Sequence, residues 1–270
     1  MSTKIHPTAI IHSSAEIDEE VVIEQGVFIG ENVKIGKGTI IKANTYIEKN
    51  TTIGKNNQIG PFVVIGTDPQ HLGYKGEETF VEIGDENVIR EFVTIHRGTS
   101  FDDGITRIGN RCLLMCYVHI AHDCKVGNYV VMANNATLGG HVRVEDRVVM
   151  GGFSAVHQFC RIGAYAFVSA MTGVDKDVPP YVKVFGIPAK IQGVNLVGLR
   201  RAGFKKEDIR KISQAIGFFL DAPATIKEVI QELKEIFAGE PIVEKLINFL
   251  ENPSKQGIMR RKPFEGEEAF

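Results

Sequence analysis

Isoleucine recurs at every sixth position of the first 65 residues, and this spacing restricts the fold more than any other feature of the chain. The eleven members of the series are Ile5, Ile11, Ile17, Ile23, Ile29, Ile35, Ile41, Ile47, Ile53, Ile59 and Ile65. Residues six apart point about 240° away from each other on an α-helix, and a half-buried strand alternates at every second residue instead. A period of six therefore indicates a repeating unit of architecture.

Each hexad also carries a small or β-branched residue two positions before the next isoleucine. Side chains alternate along a strand, so these two residues would share one face of a very short strand. Glycine often follows the isoleucine, as at Gly30 and Gly36, because a bend there favours a residue without a Cβ. We therefore predict that each hexad is a short strand and a corner, with one large and one small side chain facing inward.

The hexads continue beyond Ile65 with two interruptions, near 66–82 and 100–107, and end at Val174. Three hexads per turn would form a triangular coil, and successive coils would stack at about 4.8 Å, the spacing of hydrogen-bonded strands. The series predicts a mainly β protein, a parallel β-helix of about nine to ten coils. Three of the four cysteines fall on small inward positions and are predicted to be reduced core residues: Cys112, Cys124 and Cys160.

The chain changes character after the repeat. Residues 1–194 are predicted to form the β-helix with its inserted loops, and residues 195–252 a C-terminal α-helical domain of three helices. The second of these helices opens with Thr225 and Glu228, which are spaced as a capping box. The polar residues 253–270 are predicted to be poorly ordered.

Charge and hydropathy argue against several classes of partner. A net charge of −2, from 31 basic and 33 acidic residues, gives no field that would favour nucleic acid or a membrane surface. No apolar run approaches the roughly 20 residues that a membrane span needs, and no apolar leader precedes Ile5. Reduced thiols are typical of the cytosol, so we expect a cytoplasmic protein.

Coil arithmetic groups several polar residues that lie outside the inward positions. Because residues 18 apart would stack on successive coils, His122 would lie under Gly140, and Gly140 under Gln158. His141 would lie on the rung next to His122. A histidine beside a glycine N–H fits acyl transfer, because the imidazole removes a proton from an attacking hydroxyl and the N–H stabilises the oxyanion. Asp123 would orient His122, and no serine or cysteine is placed as a nucleophile, so we expect direct transfer.

Six motifs, in this order, resemble those of a known enzyme family: "IREFVTIHRGT", "HIAHDCKVGN", "ANNATLGGHV", "GGFSAVHQFC", "DVPPYV" and "GVNLVGLRRAGF". Over residues 1–250 the chain resembles the acyl-[acyl-carrier-protein]–UDP-N-acetylglucosamine O-acyltransferases, which catalyse the first step of lipid A biosynthesis. The resemblance implies a left-handed β-helix and a cytoplasmic homotrimer with active sites between neighbouring prisms. It also implies transfer of an (R)-3-hydroxyacyl chain from acyl carrier protein to the 3-hydroxyl of the sugar, without a cofactor.

The resemblance assigns roles to individual residues. The catalytic base falls on His122 and the oxyanion donor on the backbone of Gly140. Substrate-positioning histidines fall on His119 and His141. Contacts to the nucleotide sugar fall on Gln70, Gln158, Asn195 and Arg201. His157 lies beside the acyl-chain path. The basic residues of "RRAGFKK" are a candidate docking face for the acidic carrier protein, namely Arg200, Arg201, Lys205 and Lys206.

Three departures from the family pattern bear on the substrates. His71 and Gly73 stand where the family usually has aspartate and lysine. A carboxylate there would hold a 3-amino group as ammonium and a neutral histidine would not, so the 3-amino analogue of the sugar nucleotide is an alternative acceptor. A glutamate and an arginine that often hold the nucleotide are replaced by Val197 and Ala202. Ala170 replaces glycine at the position that limits acyl length, which predicts a shorter 3-hydroxyacyl chain.

Three alternatives stay open at this point. His119, His122 and His141 could ligate zinc, as three histidines do in the γ-class carbonic anhydrases, which share this fold. The related N-acyltransferases of the same pathway normally have an additional N-terminal uridine-binding domain, for which a repeat that starts at Ile5 leaves no room. A non-enzymatic β-helix scaffold is the third alternative, and the ordered histidines at the corners argue against it.

Overall fold

The hexads fold into three parallel sheets that form the faces of a triangular prism, with helices after them. This confirms the predicted mainly β, left-handed parallel β-helix followed by a C-terminal helical region. The computed structural model describes residues 2–260. Every third strand pairs, so the chain passes from sheet A to sheet B to sheet C and back.

The strands are numbered along the chain, and most have two residues. Sheet A contains β1 (Lys4–Ile5), β4 (Val22–Ile23), β7 (Ile40–Ile41), β10 (Gln58–Ile59), β13 (Val88–Ile89), β16 (Leu113–Leu114), β19 (Val131–Met132), β22 (Val149–Met150), β25 (Phe167–Val168), β27 (Val182–Phe185) and β28 (Lys190–Val194). Sheet B contains β2 (Ile10–Ile11), β5 (Phe28–Ile29), β8 (Tyr46–Ile47), β11 (Val64–Thr67), β14 (Thr94–His96), β17 (His119–Ile120), β20 (Thr137–Leu138), β23 (Ala155–Val156) and β26 (Gly173–Val174). Sheet C contains β3 (Glu16–Ile17), β6 (Lys34–Ile35), β9 (Thr51–Ile53), β12 (Phe80–Ile83), β15 (Ile105–Ile108), β18 (Lys125–Val126), β21 (Arg143–Val144) and β24 (Arg161–Ile162).

The inward residues of the hexads form the core. The nine strands of sheet B correspond to nine coils, within the predicted number. Every inward isoleucine from Ile23 to Ile65 is buried, whereas Ile5 is 49% exposed because no coil covers the first one. The three cysteines predicted as core residues are buried and free, and burial raises the pKa of the Cys124 thiol to about 12.

The corners are built differently from the prediction in one respect. The left-handed residue at a corner is three positions after the inward isoleucine, as at Asn32 and Asn44, with φ of 54° and 57°. Asparagine tolerates this conformation better than most residues. The glycine that directly follows the isoleucine serves a different purpose, because a Cβ on Gly36 would lie 2.7 Å from the backbone carbon of Gly54 in the next coil. These glycines allow the coils to approach each other.

Both interruptions of the repeat are loops at the same corner of the prism. The first loop, residues 68–79, connects β11 to β12, and the second, residues 97–104, connects β14 to β15. Each therefore leaves sheet B and enters sheet C, on successive coils. We call this corner the B–C edge. Because the coils above it continue the same edge, the loops lie beside the residues that follow β17 and β20.

Four helices follow the prism: α1 (Leu196–Arg201), α2 (Lys206–Asp221), α3 (Ile226–Ile236) and α4 (Pro241–Glu251). The capping box predicted at Thr225 and Glu228 is present. The first predicted helix is in fact two, because the chain turns at Gly203, whose φ is 86°. None of the helices in the described residues is long and apolar enough to cross a bilayer.

The segment after α4 packs against the end of the prism, which corrects the prediction of a poorly ordered tail for residues 253–260. Ile258 and Met259 are buried, and Asp177 pairs with Ile258 in a parallel bridge. The backbone N–H and hydroxyl of Ser254 both donate to the Asp177 carboxylate. The rest of the predicted tail, residues 261–270, lies outside the described residues.

The outer faces of sheets A and C differ in character. Outward residues of sheet A are mostly apolar and half-buried: Val22, Ile40, Val88, Leu113, Val131, Val149 and Phe167. Outward residues of sheet C are polar: Lys34, Thr52, Glu82, Arg107, Lys125, Arg143 and Arg161. Sheet A is therefore the face that would gain most from being covered.

Candidate active site

Three histidine rings meet on the B–C edge. His122 follows β17, His141 follows β20 on the next coil, and His71 lies on the first inserted loop. The ring centroids of His122 and His141 are 5.1 Å apart with an interplanar angle of 90°. Those of His71 and His122 are 5.3 Å apart at 81°. The stacked corners thus bring together His122 and His141, as coil arithmetic predicted, and the loop adds His71.

His122 is held by its neighbour in the chain. Its Nδ1 lies 2.8 Å from Oδ2 of Asp123, and Asp123 is fully buried with a left-handed φ of 61°. The Asp123 carboxylate also accepts from Thr99, and its backbone N–H donates to the Thr106 hydroxyl at 2.8 Å. Burial alone raises the pKa of Asp123, but the hydrogen bonds from His122 and Thr99 outweigh it, so the pKa is lowered. An ionised Asp123 keeps a proton on Nδ1 of His122 and leaves Nε2 free as a base.

Gly140 lies directly against the His122 ring. A Cβ at this position would come 2.5 Å from Cε1 and 2.7 Å from Nε2 of that ring, so no other residue fits without displacing it. The Gly140 carbonyl accepts from the N–H of Phe159, while no acceptor within residues 2–260 faces its own N–H. A backbone N–H beside the free nitrogen of a general base is the arrangement that an acyl-transfer oxyanion requires.

His141 is fixed from three sides. Its ring stacks on Phe159, with centroids 4.6 Å apart and an interplanar angle of 9°. Nδ1 lies 3.5 Å from Oδ2 of Asp102 in the second loop, and Nε2 lies 3.7 Å from Oδ2 of Asp123. The ring is therefore oriented toward the cleft by groups that do not include a substrate.

His119 lies outside this cluster. It points outward from β17, where its Nδ1 is 2.8 Å from the Thr94 hydroxyl, and its ring centroid is 5.0 Å from that of His96. Burial, and then the charge of His122, lower the pKa of His119. The groups whose potential ligand atoms lie within 4.8 Å of one another are His122, Asp123 and His141. The three-histidine zinc site is therefore not assembled, because His119 is replaced in the group by Asp123, whose oxygens already accept from Thr99 and His122.

The first inserted loop is anchored by Arg97, which the sequence analysis did not single out. The side chain of Arg97 is fully buried and donates to the carbonyl of Gly66 and to the carboxylate of Asp68. Its guanidinium also donates to the Tyr74 hydroxyl at 3.2 Å. The loop is thus tied at both ends of the stretch that carries His71, and this fixes the position of the His71 ring.

A cleft of about 910 Å³ opens beside these histidines. It is lined by His71, Phe101, Asp102, His141, Arg143, Phe159, Arg161, Asn252, Pro253, Ser254 and Lys255. The second inserted loop and the segment after α4 form opposite parts of its wall. Gln70 precedes His71 in the first loop, and the exposed His157 and Gln158 precede Phe159 on the same edge.

The other predicted substrate residues lie elsewhere on the single chain. Asn195 and Arg201 line a separate cavity of about 670 Å³ on the outer face of sheet A. Asn195 caps α1 and donates to the Tyr165 carbonyl at 2.9 Å, so its side chain already has partners. Ala170 is exposed at the corner after β25, between sheets A and B. The four basic residues of the candidate docking face are exposed around α1 and the start of α2.

Sequence reasoning missed Thr99, Thr106 and Phe159 as parts of the site. A signal for Thr99 was present, because both interruptions follow a strand of the same sheet as β17. Reading them as loops at one corner would have placed Thr99 beside Asp123. Phe159 lies 18 residues after His141, so the same arithmetic that placed Gly140 over His122 would have stacked these two rings.

Comparisons with known proteins agree with this architecture. Residues 177–259 match the family model described as UDP-N-acetylglucosamine O-acyltransferase, domain 2, and residues 32–67 and 105–140 match bacterial transferase hexapeptide repeats. The acyl-[acyl-carrier-protein]–UDP-N-acetylglucosamine O-acyltransferase of Halorhodospira halophila is 45% identical over 74% of this chain and 77% of its own length. That of a Sulfurihydrogenibium species is 52% identical over 72% of each chain.

Solved structures show the same relationship over nearly the whole chain. The crystal structure of UDP-N-acetylglucosamine O-acyltransferase from Moraxella catarrhalis superposes with a TM-score of 0.92 at 45% identity, and covers 95% of this chain and 99% of its own. The enzyme from Acinetobacter baumannii superposes with a TM-score of 0.91 at 41% identity. The resemblance inferred from the motifs is confirmed: the chain belongs to the acyl-[acyl-carrier-protein]–UDP-N-acetylglucosamine O-acyltransferase family.

Proposed function

We propose that this protein transfers an (R)-3-hydroxyacyl chain from acyl carrier protein to the 3-hydroxyl of UDP-N-acetylglucosamine, the first step of lipid A biosynthesis. Family membership supports the reaction class. The observation that carries the proposal is the trio of His122, Asp123 and Gly140, in which an oriented imidazole faces a free backbone N–H. The reaction is proposed to take place in the cytoplasm, in line with the free cysteines.

The proposed mechanism is direct transfer. Nε2 of His122 removes the proton of the sugar 3-hydroxyl as that oxygen attacks the thioester carbonyl carbon. The imidazolium that forms is stabilised by Asp123, and the N–H of Gly140 donates to the tetrahedral oxyanion. When the intermediate collapses, the carbon–sulfur bond breaks and the thiolate takes the proton from His122. The products are the ester and the free thiol of the carrier, and the histidine regains its starting state.

The protein is proposed to act as a homotrimer whose sites are shared between protomers. Two observations support this: the apolar outer face of sheet A, and the opening of the cavity with Asn195 and Arg201 on that same face. A contact between sheet A of one protomer and the B–C edge of the next is heterologous, and such contacts close into a ring. In this arrangement Asn195 and Arg201 of one protomer complete the nucleotide site beside His122 of its neighbour.

The 3-amino analogue of the sugar nucleotide remains the alternative acceptor. Its support is His71, which replaces the usual aspartate and whose ring lies 5.3 Å from that of His122. The N–H of Gly73 donates to Nδ1 of His71 at 3.0 Å, so this nitrogen accepts and carries no proton. A neutral side chain there does not hold an amino group as the unreactive ammonium ion. Ala170, exposed at its corner, is proposed to shorten the acyl chain that the enzyme prefers.

The test of this function is acyl transfer from a panel of 3-hydroxyacyl carrier proteins to UDP-N-acetylglucosamine, with products identified by mass spectrometry and chelator present throughout. His122→Ala is expected to lose at least about a hundredfold in kcat, the scale of general-base catalysis. The exposed His12, replaced in the same way, serves as control. If wild type makes product and His122→Ala is equally active, the assignment of the base is wrong. If neither sugar is acylated by wild type, the proposed function is wrong.

A further inference from the structure

The ordered segment after α4 places a lysine at the candidate active site. Ser254 ties the segment to the buried Asp177 by two hydrogen bonds of 2.6 and 2.7 Å. The side chain of Gln256 donates to the Gln158 carbonyl at 3.2 Å. Between these anchors, Nζ of Lys255 lies 3.1 Å from the centroid of the Phe159 ring. Phe159 is the ring on which His141 stacks, so Lys255 is connected to the histidine cluster through a single side chain.

The cleft has more positive than negative charge. Its charged lining residues are Asp102, Arg143, Arg161 and Lys255. Arg161 is already engaged, because its guanidinium lies 4.0 Å from the centroid of the Phe249 ring, donates to the Phe249 carbonyl at 3.2 Å and is 3.6 Å from Glu145. Within residues 2–260, neither Arg143 nor Lys255 has a carboxylate within ion-pair distance. Two cations therefore face the cleft without a counter-ion.

The position of Arg143 in the sheet makes this unpaired charge costly. On the outer face of sheet C, Arg143 is the register partner of Lys125 on one side and of Arg161 on the other. Like charges that lie directly opposite each other destabilise a sheet. Lys125 is neutralised by Asp103 and Arg161 by Glu145, whereas Arg143 has no such partner. An anion bound in the cleft would remove the repulsion that the sheet otherwise bears.

We propose that Arg143 and Lys255 form a phosphate-binding subsite of the cleft, an inference that rests on the proposed function. A guanidinium offers the paired donors that match phosphate oxygens, and an ammonium adds a point charge from the opposite wall. Both substrates of the proposed reaction bring a phosphate group. One is the diphosphate of the sugar nucleotide, and the other is the phosphodiester of the phosphopantetheine arm of the carrier protein.

The test is direct binding to the full chain, measured by calorimetry with UDP and with 4′-phosphopantetheine as probes. Arg143→Ala and Lys255→Ala are each expected to weaken one probe by about tenfold, the scale of one lost charged hydrogen bond. The phosphate-free counterparts, uridine and pantetheine, are expected to bind the variants as they bind wild type. Lys255→Arg is expected to keep most of the affinity. Lys34→Ala, at an exposed lysine of the same sheet that pairs with Glu16, is the control.

The two probes distinguish the source of the phosphate. Weaker binding of UDP assigns the subsite to the acceptor, and weaker binding of phosphopantetheine assigns it to the donor. The proposal is overturned if both alanine variants bind both probes within twofold of wild type, or if wild type binds neither. Because no turnover is needed, a failure of the acyl-transfer assay leaves this result standing. An active enzyme with unaltered binding in both variants would remove the subsite alone.

Discussion

Thr99 donates two hydrogen bonds to the Asp123 carboxylate, one from its backbone N–H at 2.8 Å and one from its hydroxyl at 2.6 Å. The hydroxyl reaches Oδ2, the same oxygen that lies 2.8 Å from Nδ1 of His122. The second inserted loop therefore fixes the carboxylate that orients the proposed base, although Thr99 itself lies 24 residues away from Asp123 in the chain.

Thr99→Val is expected to lower kcat about tenfold while KM for the sugar nucleotide changes little. Valine keeps the shape and the backbone N–H but leaves Oδ2 of Asp123 one donor short, at a cost of about 1–3 kcal/mol. That hydroxyl also contributes to the lowered pKa of Asp123, so the pKa rises in the variant and activity is lost at a higher pH on the acid side. The measurement is a pH–rate profile. Thr52→Val, on the outer face of sheet C, is the control, and an unchanged acid limb for Thr99→Val would contradict the assignment.

Gly140→Ala is expected to lower kcat about a hundredfold with the fold intact. The new methyl would stand 2.5 Å from Cε1 of His122, so the ring must move away from the attacking hydroxyl and the oxyanion donor. Gly217→Ala is the matched control, because nothing lies within 4 Å of a Cβ at that helical position. The control should unfold at a slightly higher temperature than wild type and keep full activity. Equal kcat values for the two variants would show that Gly140 does not constrain His122.

Stability is expected to fall as the pH is lowered from 7 to 5, partly because of His96. Burial, together with the charges of nearby histidines, lowers the pKa of His96 from 6.5 to about 4. The unfolded chain therefore binds a proton between pH 6.5 and 4 that the folded chain does not. The stability linked to His96 is present above pH 6.5 and is lost as the pH falls toward 4, by about 2 kcal/mol at pH 5.

Urea unfolding at the two pH values measures this effect, with His96→Phe as the test variant. The variant keeps a ring in the buried site but cannot titrate, so its stability should depend less on pH than that of wild type. The exposed His6, replaced by phenylalanine, is the control and should retain the wild-type dependence. An equal pH dependence in all three proteins would exclude His96 as the cause.

His71→Asp is expected to shift acceptor preference toward the 3-hydroxy sugar by about tenfold or more. The introduced carboxylate would stabilise the ammonium form of a 3-amino group, which cannot attack, and would leave a hydroxyl unaffected. Competition between the two sugar nucleotides, followed by mass spectrometry, gives the ratio directly. A strong preference of wild type for the hydroxyl would remove the alternative acceptor, and an unchanged ratio in the variant would show that His71 does not set it.

The β-helix could be predicted from the sequence because its repeat is local. An inward residue such as Ile29 is specified by its distance from Ile23 and Ile35, and a fixed step of 18 residues is enough to stack Gly140 on His122. The inserted loops have no period, so their contacts depend on tertiary packing that counting does not reach. Arg97 buried beneath the first loop is an example. The tail was judged by composition, which could not foresee that Asp177 would hold Ser254.

The coil geometry also governs how this enzyme can change in length. Each residue's face is set by its count along the repeat, so removal of one hexad would turn every later side chain to the next face of the prism. Removal of a complete coil of three hexads would return each side chain to the face it left. The first coils lie far from His122 in the stack, and a loss or gain there in whole coils would leave the B–C edge as it is. Descent with altered length is thus restricted to steps of a full turn.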